Sequence, residues 1–173
     1  MSRISTATLE GMQDEVDRLV EAWQRERGDL DLRPMEVLSR VSRLSHHLDR
    51  ARRQAFSEHK LESWEFDVLA ALRRAGSPYQ LSPGRLLKET LVTSGTMTNR
   101  VDRLAARGFV ERLPDPRDRR GVLVRLTDAG RGTVDGALAG LLDRERDLLA
   151  GLGAHDQQRL AALLRQLVLP FES

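Results

Sequence analysis

The stretch LPDPRDRRGVLVRLTDAG, residues 113–130, contains two patterns that require different surroundings. Five of the six residues 115–120 are charged, so this part requires contact with water. The part that follows alternates, with apolar Val122, Val124 and Leu126 at every second position. Alternation is typical of a strand with one buried face, and a polar segment before it is typical of a turn. The stretch therefore predicts the exposed tip and the returning strand of a β-hairpin.

The residues before this stretch complete the hairpin and predict two short helices. Phe109–Leu113 alternates like Gly121–Leu126, so we predict paired strands with residues 114–120 as their loop. Residues 82–108 predict two helices around a tight connection, because a capping residue precedes each helix and a glycine follows the second. The caps are Ser82 for the first helix, Thr93 or Ser94 for the second, and Gly108 after the second.

Apolar residues at helical spacing predict the remaining elements, which are helices over residues 9–27, 34–57 and 62–75, a long helix from residue 128 and a final helix over 155–169. A helix–turn–helix followed by a basic hairpin is a winged helix. Its second helix suits the major groove of double-stranded DNA, and its hairpin reaches along the backbone. We predict a mostly α protein with a small β-hairpin, in which N- and C-terminal helices flank a winged helix–turn–helix.

Charge is unevenly distributed along the chain. The net charge is only +2, but residues 1–33 hold five basic and eight acidic residues, whereas residues 93–125 hold eight arginines and four acids. A basic middle segment indicates a surface that binds a polyanion, although an ordinary salt-bridged surface also produces such a distribution.

Several classes of site and location are not expected. The 173-residue chain has no cysteine, which excludes disulfides, thiolate metal sites and cysteine nucleophiles. We find no signal peptide and no apolar run near the ~20 residues that a membrane span needs, so we expect a cytoplasmic protein without a membrane partner.

An enzyme, in the form of a small hydrolase, is the main alternative of a different class. No nucleophile-elbow, P-loop or zinc-protease motif occurs, so we expect no catalytic residue, cofactor or metal. Adjacent His46 and His47 point to different parts of a helix surface, which argues against a shared metal. A second alternative is a winged helix that binds another protein and no DNA.

Two segments carry a family resemblance. SGTMTNRVDRLAARGFVER, residues 94–112, is similar to the recognition helix of the multiple-antibiotic-resistance regulator (MarR) family, and DRRGVLVRLTDAG, residues 118–130, closely resembles its wing. The resemblance implies a homodimeric transcriptional regulator whose two winged helices bind a palindromic operator. It divides the chain into an N-terminal extension with an added helix (1–33), a dimerisation helix (34–60), a winged helix–turn–helix (61–127) and C-terminal dimerisation helices (128–173).

The resemblance also implies which residues contact DNA. On the recognition helix these are Ser94, Thr96, Thr98, Asn99 and Arg103. Their chemistry agrees, because asparagine pairs with adenine, arginine with guanine and hydroxyls with phosphates. In the wing, Arg120 matches the residue that enters the minor groove, Asp118 matches the acid that braces it, and Arg117 and Arg119 are expected to contact phosphates.

A narrower resemblance concerns a small effector. The added N-terminal helix is similar to one in the urate-responsive subgroup of the family, whose ligand residues match Trp23, Asp67, Arg100 and Arg112. Phe66 departs from the tryptophan of that subgroup. An indole face with two guanidiniums suits a flat anion such as urate, and phenolic or tricarboxylic acids are alternatives. We also expect an ion pair between Asp67 and Arg100 that holds the recognition helix until the anion binds.

Overall fold

The computed structural model describes residues 12–90 and 94–172, without the side chains of Ser94, Arg119 and Arg120. The elements in chain order are α1 (Glu15–Glu26), α2 (Arg33–Glu58), α3 (Ser63–Arg74), β1 (Gln80–Leu81), α4 (Pro83–Thr90), α5 (Ser94–Ala106), β2 (Val110–Asp115), β3 (Asp118–Leu126), α6 (Asp128–Leu148), α7 (Ala154–Val168) and a 3-10 turn (Leu169–Phe171). Helices dominate and the small sheet is antiparallel, which confirms the predicted fold class.

The chain forms two compact units. The terminal unit combines Met1–Asp49 with Arg144–Ser173, and the central unit is Arg50–Asp143. The predicted helix turn at residues 9–11 and the cap at Thr93 lie outside the described residues. None of the described helices is long and apolar enough to cross a membrane.

The core of the central unit is built by helix α3 and the elements around it. Val68, Leu69 and Leu72 of α3 are fully buried. Phe66 is also buried, and its ring stacks on Phe56 of α2 with the ring centres 4.1 Å apart. The phenylalanine that departs from the urate-responsive pattern is therefore a core residue in this fold.

Helix α5 packs on this core along one face and ends at a glycine. Met97, Val101 and Leu104 are buried, at the spacing of successive helical turns. After the helix, the Phe109 amide donates to the Leu104 carbonyl at 3.0 Å, and Gly108 adopts a φ of 74°. This is a Schellman motif, whose left-handed residue is usually glycine. The predicted end of the helix at Gly108 is confirmed.

The sheet differs from the prediction in two respects. The strands of the hairpin extend to Asp115 and from Asp118, so residues 114–115 and 118–120 of the predicted loop 114–120 are strand and the turn is only Pro116 and Arg117. In addition, the two-residue strand β1 pairs with β3 and gives the sheet order β1-β3-β2. The charged segment therefore lies at the end of the β2–β3 hairpin and in its turn. We call this hairpin the wing.

Helix α1 is tied to α2 by acidic residues in its first turn. The Asp14 carboxylate accepts hydrogen bonds from the Val16 and Asp17 amides, at 2.7 and 2.9 Å, and caps the helix. The same carboxylate pairs with Arg40 of α2 at 2.8 Å. The hydrogen bond from Arg40, followed by that from the Asp17 amide, lowers the pKa of Asp14 to about 2, so this contact is fully charged at neutral pH.

Helix α6 begins where the backbone of another segment is in close contact. The Thr127 hydroxyl accepts a hydrogen bond from the Gly130 amide at 3.0 Å and caps the helix. A Cβ atom at Gly130 would overlap the Phe109 carbonyl oxygen, which belongs to the backbone and has little freedom to move. Gly132, two residues on, is exposed and has open space around it.

We expect Gly130→Ala to lower the free energy of unfolding by about 1–3 kcal/mol, since the added methyl displaces the backbone at Phe109. Gly132→Ala is the matched control, because the same change at an exposed helical position is neutral or stabilises by up to ~1 kcal/mol. Urea denaturation of both variants measures the difference. Equal stabilities for the two variants would contradict the close contact at Gly130.

Candidate nucleic-acid interface

The face of α5 opposite its buried residues presents the side chains predicted to read DNA. Thr96, Thr98, Asn99 and Arg103 are exposed, and Arg100 is partly buried beside them. A shallow concavity on this face is lined by Trp64, Gly95, Thr96, Asn99, Arg100 and Arg103. The structure thus places four of the five predicted contacts on the surface, and the side chain of Ser94 lies outside the described residues.

Trp64 of α3 supports this concavity. The guanidinium carbons of Arg103 and Arg100 lie 4.7 and 5.3 Å from the centre of its indole ring, which is cation–π geometry. The indole N–H donates to a Glu62 carboxylate oxygen at 2.5 Å, and Arg103 donates to the other oxygen at 3.1 Å. One carboxylate therefore orients both the aromatic ring and an arginine that lies on it.

These contacts keep Glu62 ionised. The hydrogen bond from Trp64, and to a smaller extent that from Arg103, lowers the pKa of Glu62 below its ordinary value. The Glu62 and Arg103 side chains are 60% and 55% exposed, so solvent weakens their attraction. The pair is therefore an exchangeable contact in which Arg103 can change its partner at little cost.

A second carboxylate holds the end of α5 from inside the protein. Glu65 is 1% exposed, the only charged side chain that is buried among the described residues. It accepts from Arg107 at 2.5 Å and from the Glu62 amide at 2.9 Å. Arg107 also donates to the Lys60 carbonyl at 2.8 Å and lies over the Phe109 ring. This network joins the start of α3 to the end of α5.

Arg112 joins the wing to the same helix. Its guanidinium pairs with Asp102 of α5 at 2.9 Å and approaches the Thr98 carbonyl at 3.5 Å. At the tip of the wing, the Arg117 amide donates to Asp115 at 2.9 Å, and the Arg117 and Asp118 side chains are exposed. Arg119 and Arg120 lie in strand β3, but their side chains, and hence the predicted brace on Arg120, are outside the described residues.

The residues predicted to bind an effector have separate partners. Trp23 is 45% exposed on α1 of the terminal unit. In the central unit, Asp67 lies 3.4 Å from Arg52, Arg100 lies on Trp64 and Arg112 pairs with Asp102. The prediction of an ion pair between Asp67 and Arg100 is wrong, because Asp67 pairs with Arg52 and Arg100 lies over the Trp64 ring.

Asp67 instead lines a charged cleft of the central unit. The cleft has a volume of about 270 Å³ and is lined by Arg52, Phe66, Asp67, Ala70, Arg74, Glu89 and Thr90. Arg74 is paired with Glu89 at 3.6 Å. Two arginines and two acids therefore face one concave surface, whereas Arg100 lines the concavity on α5.

The sequence patterns did not indicate four residues that contact α5 on its exposed face or hold its end, which are Glu62, Trp64, Glu65 and Arg107. A weak signal was present, because acidic residues just before an apolar run are typical of the first turn of a helix. That pattern does not reveal that both acids also bind arginines more than 40 positions later in the chain.

Comparison with known proteins identifies the chain. The MarR family model matches residues 59–121, which include α3, the helix–turn–helix and most of the wing. The regulator PecS of Dickeya dadantii is 40% identical over 150 residues, which cover 87% of this chain and 90% of PecS. The chain belongs to the MarR family of transcriptional regulators.

Solved structures of MarR-family regulators have the same fold. A cysteine-to-serine mutant of Escherichia coli MarR in complex with operator DNA is 27% identical, with a TM-score of 0.64 over 90% of this chain and 99% of that one. BpsR of Bordetella bronchiseptica, whose DNA binding is regulated by 6-hydroxynicotinic acid, is 29% identical, with a TM-score of 0.63 over 76% of this chain and 91% of BpsR.

We expect Arg107→Met to destabilise this MarR-family protein by about 2–4 kcal/mol, because it leaves the buried Glu65 carboxylate without its cation. Arg103→Met is the matched control, since it removes an arginine that lies four positions earlier, on α5, from an exposed pair and costs no more than about 1 kcal/mol. Chemical denaturation compares the two. Equal losses would show that the buried pair does not anchor α5.

Proposed function

We propose that the protein is a homodimeric, cytoplasmic repressor that binds a palindromic operator and is released from it by a small anion of the urate type. In this proposal residues 61–127 read the DNA, with α5 in the major groove and the wing along the backbone. The segments 34–60 and 128–173 form the dimer, and residues 1–33 with the added helix contribute to the effector site.

The exposed face of α5 is the observation that carries the proposal. An amide (Asn99), an arginine (Arg103) and a hydroxyl (Thr96) lie on one surface of a helix whose other face is packed on the core. These are the groups that pair with base edges in the major groove. The similarity to a MarR mutant whose structure is solved in complex with operator DNA supports a DNA-binding role.

Dimerisation is supported by apolar surface on the terminal unit. Helix α7 has no buried residue, although it carries several leucines and a valine. Leu163, Leu167 and Val168 are 46–52% exposed, and Phe171 beyond the helix is 87% exposed. A soluble helix with an apolar stripe needs a partner surface, and a second copy of the chain supplies one under two-fold symmetry.

The effector is proposed to be an aromatic anion. Trp23 offers an exposed indole face, and Arg100 and Arg112 offer guanidiniums on α5 and β2, which are proposed to contact DNA. Both arginines make contacts that position α5, so an anion that draws either of them away shifts the helix. A ligand of this kind releases DNA only by binding the DNA-free form more tightly. The regulation of BpsR by 6-hydroxynicotinic acid supports a small aromatic acid.

We expect sedimentation at low micromolar concentration to give twice the mass of one chain. Leu167→Glu is expected to shift the protein towards monomer, because it places a charge in the apolar stripe of α7. Gln166→Glu adds the same charge at the neighbouring exposed position and is the control. A wild-type protein that sediments as a monomer would contradict the dimer.

Base reading and phosphate binding are expected to respond differently to mutation. Two DNA probes are compared. One is the duplex that wild-type protein selects from a random pool, and the other is a duplex of random sequence. Asn99→Ala is expected to weaken binding to the selected duplex by about 1–3 kcal/mol, through loss of a base contact, and to leave binding to the random duplex unchanged. Arg117→Ala is expected to weaken both and to flatten the salt dependence by about one unit.

Two results would contradict this part of the proposal. Wild-type protein that selects no duplex from the pool would contradict DNA binding and favour the alternative of a winged helix that binds other proteins. Asn99→Ala protein that binds the selected duplex with wild-type affinity would exclude Asn99 from base reading.

We expect urate to weaken the complex of wild-type protein with the selected duplex. Trp23→Ala is expected to keep DNA affinity and lose this response, since the stacking surface is absent, whereas Trp23→Phe retains part of it. The measurement is DNA affinity against urate concentration, repeated with 6-hydroxynicotinic acid. A wild-type response in Trp23→Ala protein would remove Trp23 from the effector site.

A further inference from the structure

The start of α4 lies beside the turn of the wing. Strand β1 pairs antiparallel with β3, so that Gln80 lies opposite Arg125 and Leu81 opposite Val124. The chain therefore leaves β1 in the direction of the wing turn, and α4 begins only two residues later, at Pro83. The register of this short strand thus brings the first helix of the helix–turn–helix next to the end of the wing.

A concavity with a volume of about 340 Å³ lies between these two elements. Its charged lining consists of Arg85 from α4 and of Asp115 and Arg117 from the wing, which is two cations and one acid, a net charge of +1. Both arginines are exposed, and neither forms an ion pair with another residue that the structure describes. Glu89, the acid of α4, pairs instead with Arg74 at 3.6 Å. The concavity is therefore a small basic surface.

The backbone under each of the two arginines is fixed by a turn. The Arg85 amide donates to the Ser82 carbonyl at 3.0 Å and to the Ser82 hydroxyl at 3.4 Å. The Arg117 amide donates to the Asp115 carboxylate at 2.9 Å, and this bond offsets part of the negative charge of the acid. Two guanidiniums thus line one space from two fixed positions, one on a helix and one on a hairpin.

We propose that this concavity binds one phosphate of the DNA backbone, with Arg85 and Arg117 as its two cationic partners. The inference rests on the proposed function and adds Arg85 to the residues that contact DNA. A phosphate has several acceptor oxygens, so it accepts hydrogen bonds from two guanidiniums at once. In a docked helix–turn–helix the first helix crosses the DNA backbone, which brings the start of α4 to the phosphates.

The role of this site is to position the duplex. Contacts to phosphate carry no sequence information, but they fix the register and orientation of a protein on DNA. One phosphate that is held by both α4 and the wing fixes the duplex relative to both elements together. The exposed face of α5 then meets the base edges in the register that this phosphate sets.

The first test compares Arg85→Met with wild type on the selected duplex and on the random duplex. We expect affinity for both to fall by the same factor, about two- to five-fold for each bound chain, because every sequence has the phosphate. The salt dependence is expected to flatten by about one unit per bound chain. Lys88→Met is the matched control, since Lys88 is an exposed cation of the same helix that does not line the concavity. It is expected to change either affinity by less than about two-fold.

The second test locates the phosphate. A series of selected duplexes carries one uncharged methylphosphonate each, at successive positions of the backbone. At the phosphate held in the concavity, the lost charge is expected to weaken binding of wild-type protein by about two- to five-fold. This loss is expected to become smaller in both Arg85→Met and Arg117→Met protein, and to disappear in the double variant, because the two arginines share one partner. Lys88→Met protein is expected to retain the full loss at that position.

The outcomes separate the inference from the proposed function. Wild-type protein that selects no duplex overturns the proposed function. Wild-type affinities and salt dependence in Arg85→Met protein, or two arginine variants that respond to different phosphates, overturn the shared site and leave the proposed function in place. Equal losses in Arg85→Met and Lys88→Met protein would show a general effect of charge, and this also overturns the inference. Thermal melting of each variant verifies that it is folded.

Discussion

The arrangement of the central unit depends on the ion pair between the buried Glu65 carboxylate and Arg107. A charge that is 1% exposed needs a close cation and further donors, and Arg107 and the Glu62 amide supply them. Arg107 stands directly before the glycine turn that leads into the wing. The start of α3, the end of α5 and the entry to β2 are therefore held at one point.

The contacts on the outer side of α5 are weaker and more exposed. Trp64, Glu62 and Arg103 form one group, and Arg112 with Asp102 forms another. Exposed ion pairs contribute little to stability, so they exchange partners readily. A buried anchor with exchangeable surface pairs gives a helix whose end is held while its arginines change from protein to DNA partners, as the proposed function requires.

Sequence predicted most of this fold because its signals are local. Alternation in residues 121–126, glycine at position 108 and apolar spacing within each helix depend on neighbouring residues. The two-residue strand β1 carries no such pattern, and its pairing depends on β3, more than 40 positions later. The partners of Asp67 and Arg100 were also mispredicted, because they depend on residues that are distant in sequence. Charge alone does not determine which of several arginines lies closest to an acid.

The central claim, that the exposed face of α5 contacts DNA, is tested most directly by chemical protection. The chain has no cysteine, so a single introduced cysteine reports on one position. Thr96→Cys introduces a thiol on this face, and Asp128→Cys introduces one at the exposed start of α6 as the control. The account predicts that saturating selected duplex slows alkylation of Thr96→Cys protein and leaves that of Asp128→Cys protein unchanged. An unchanged rate for the Thr96→Cys protein in the bound complex would contradict it.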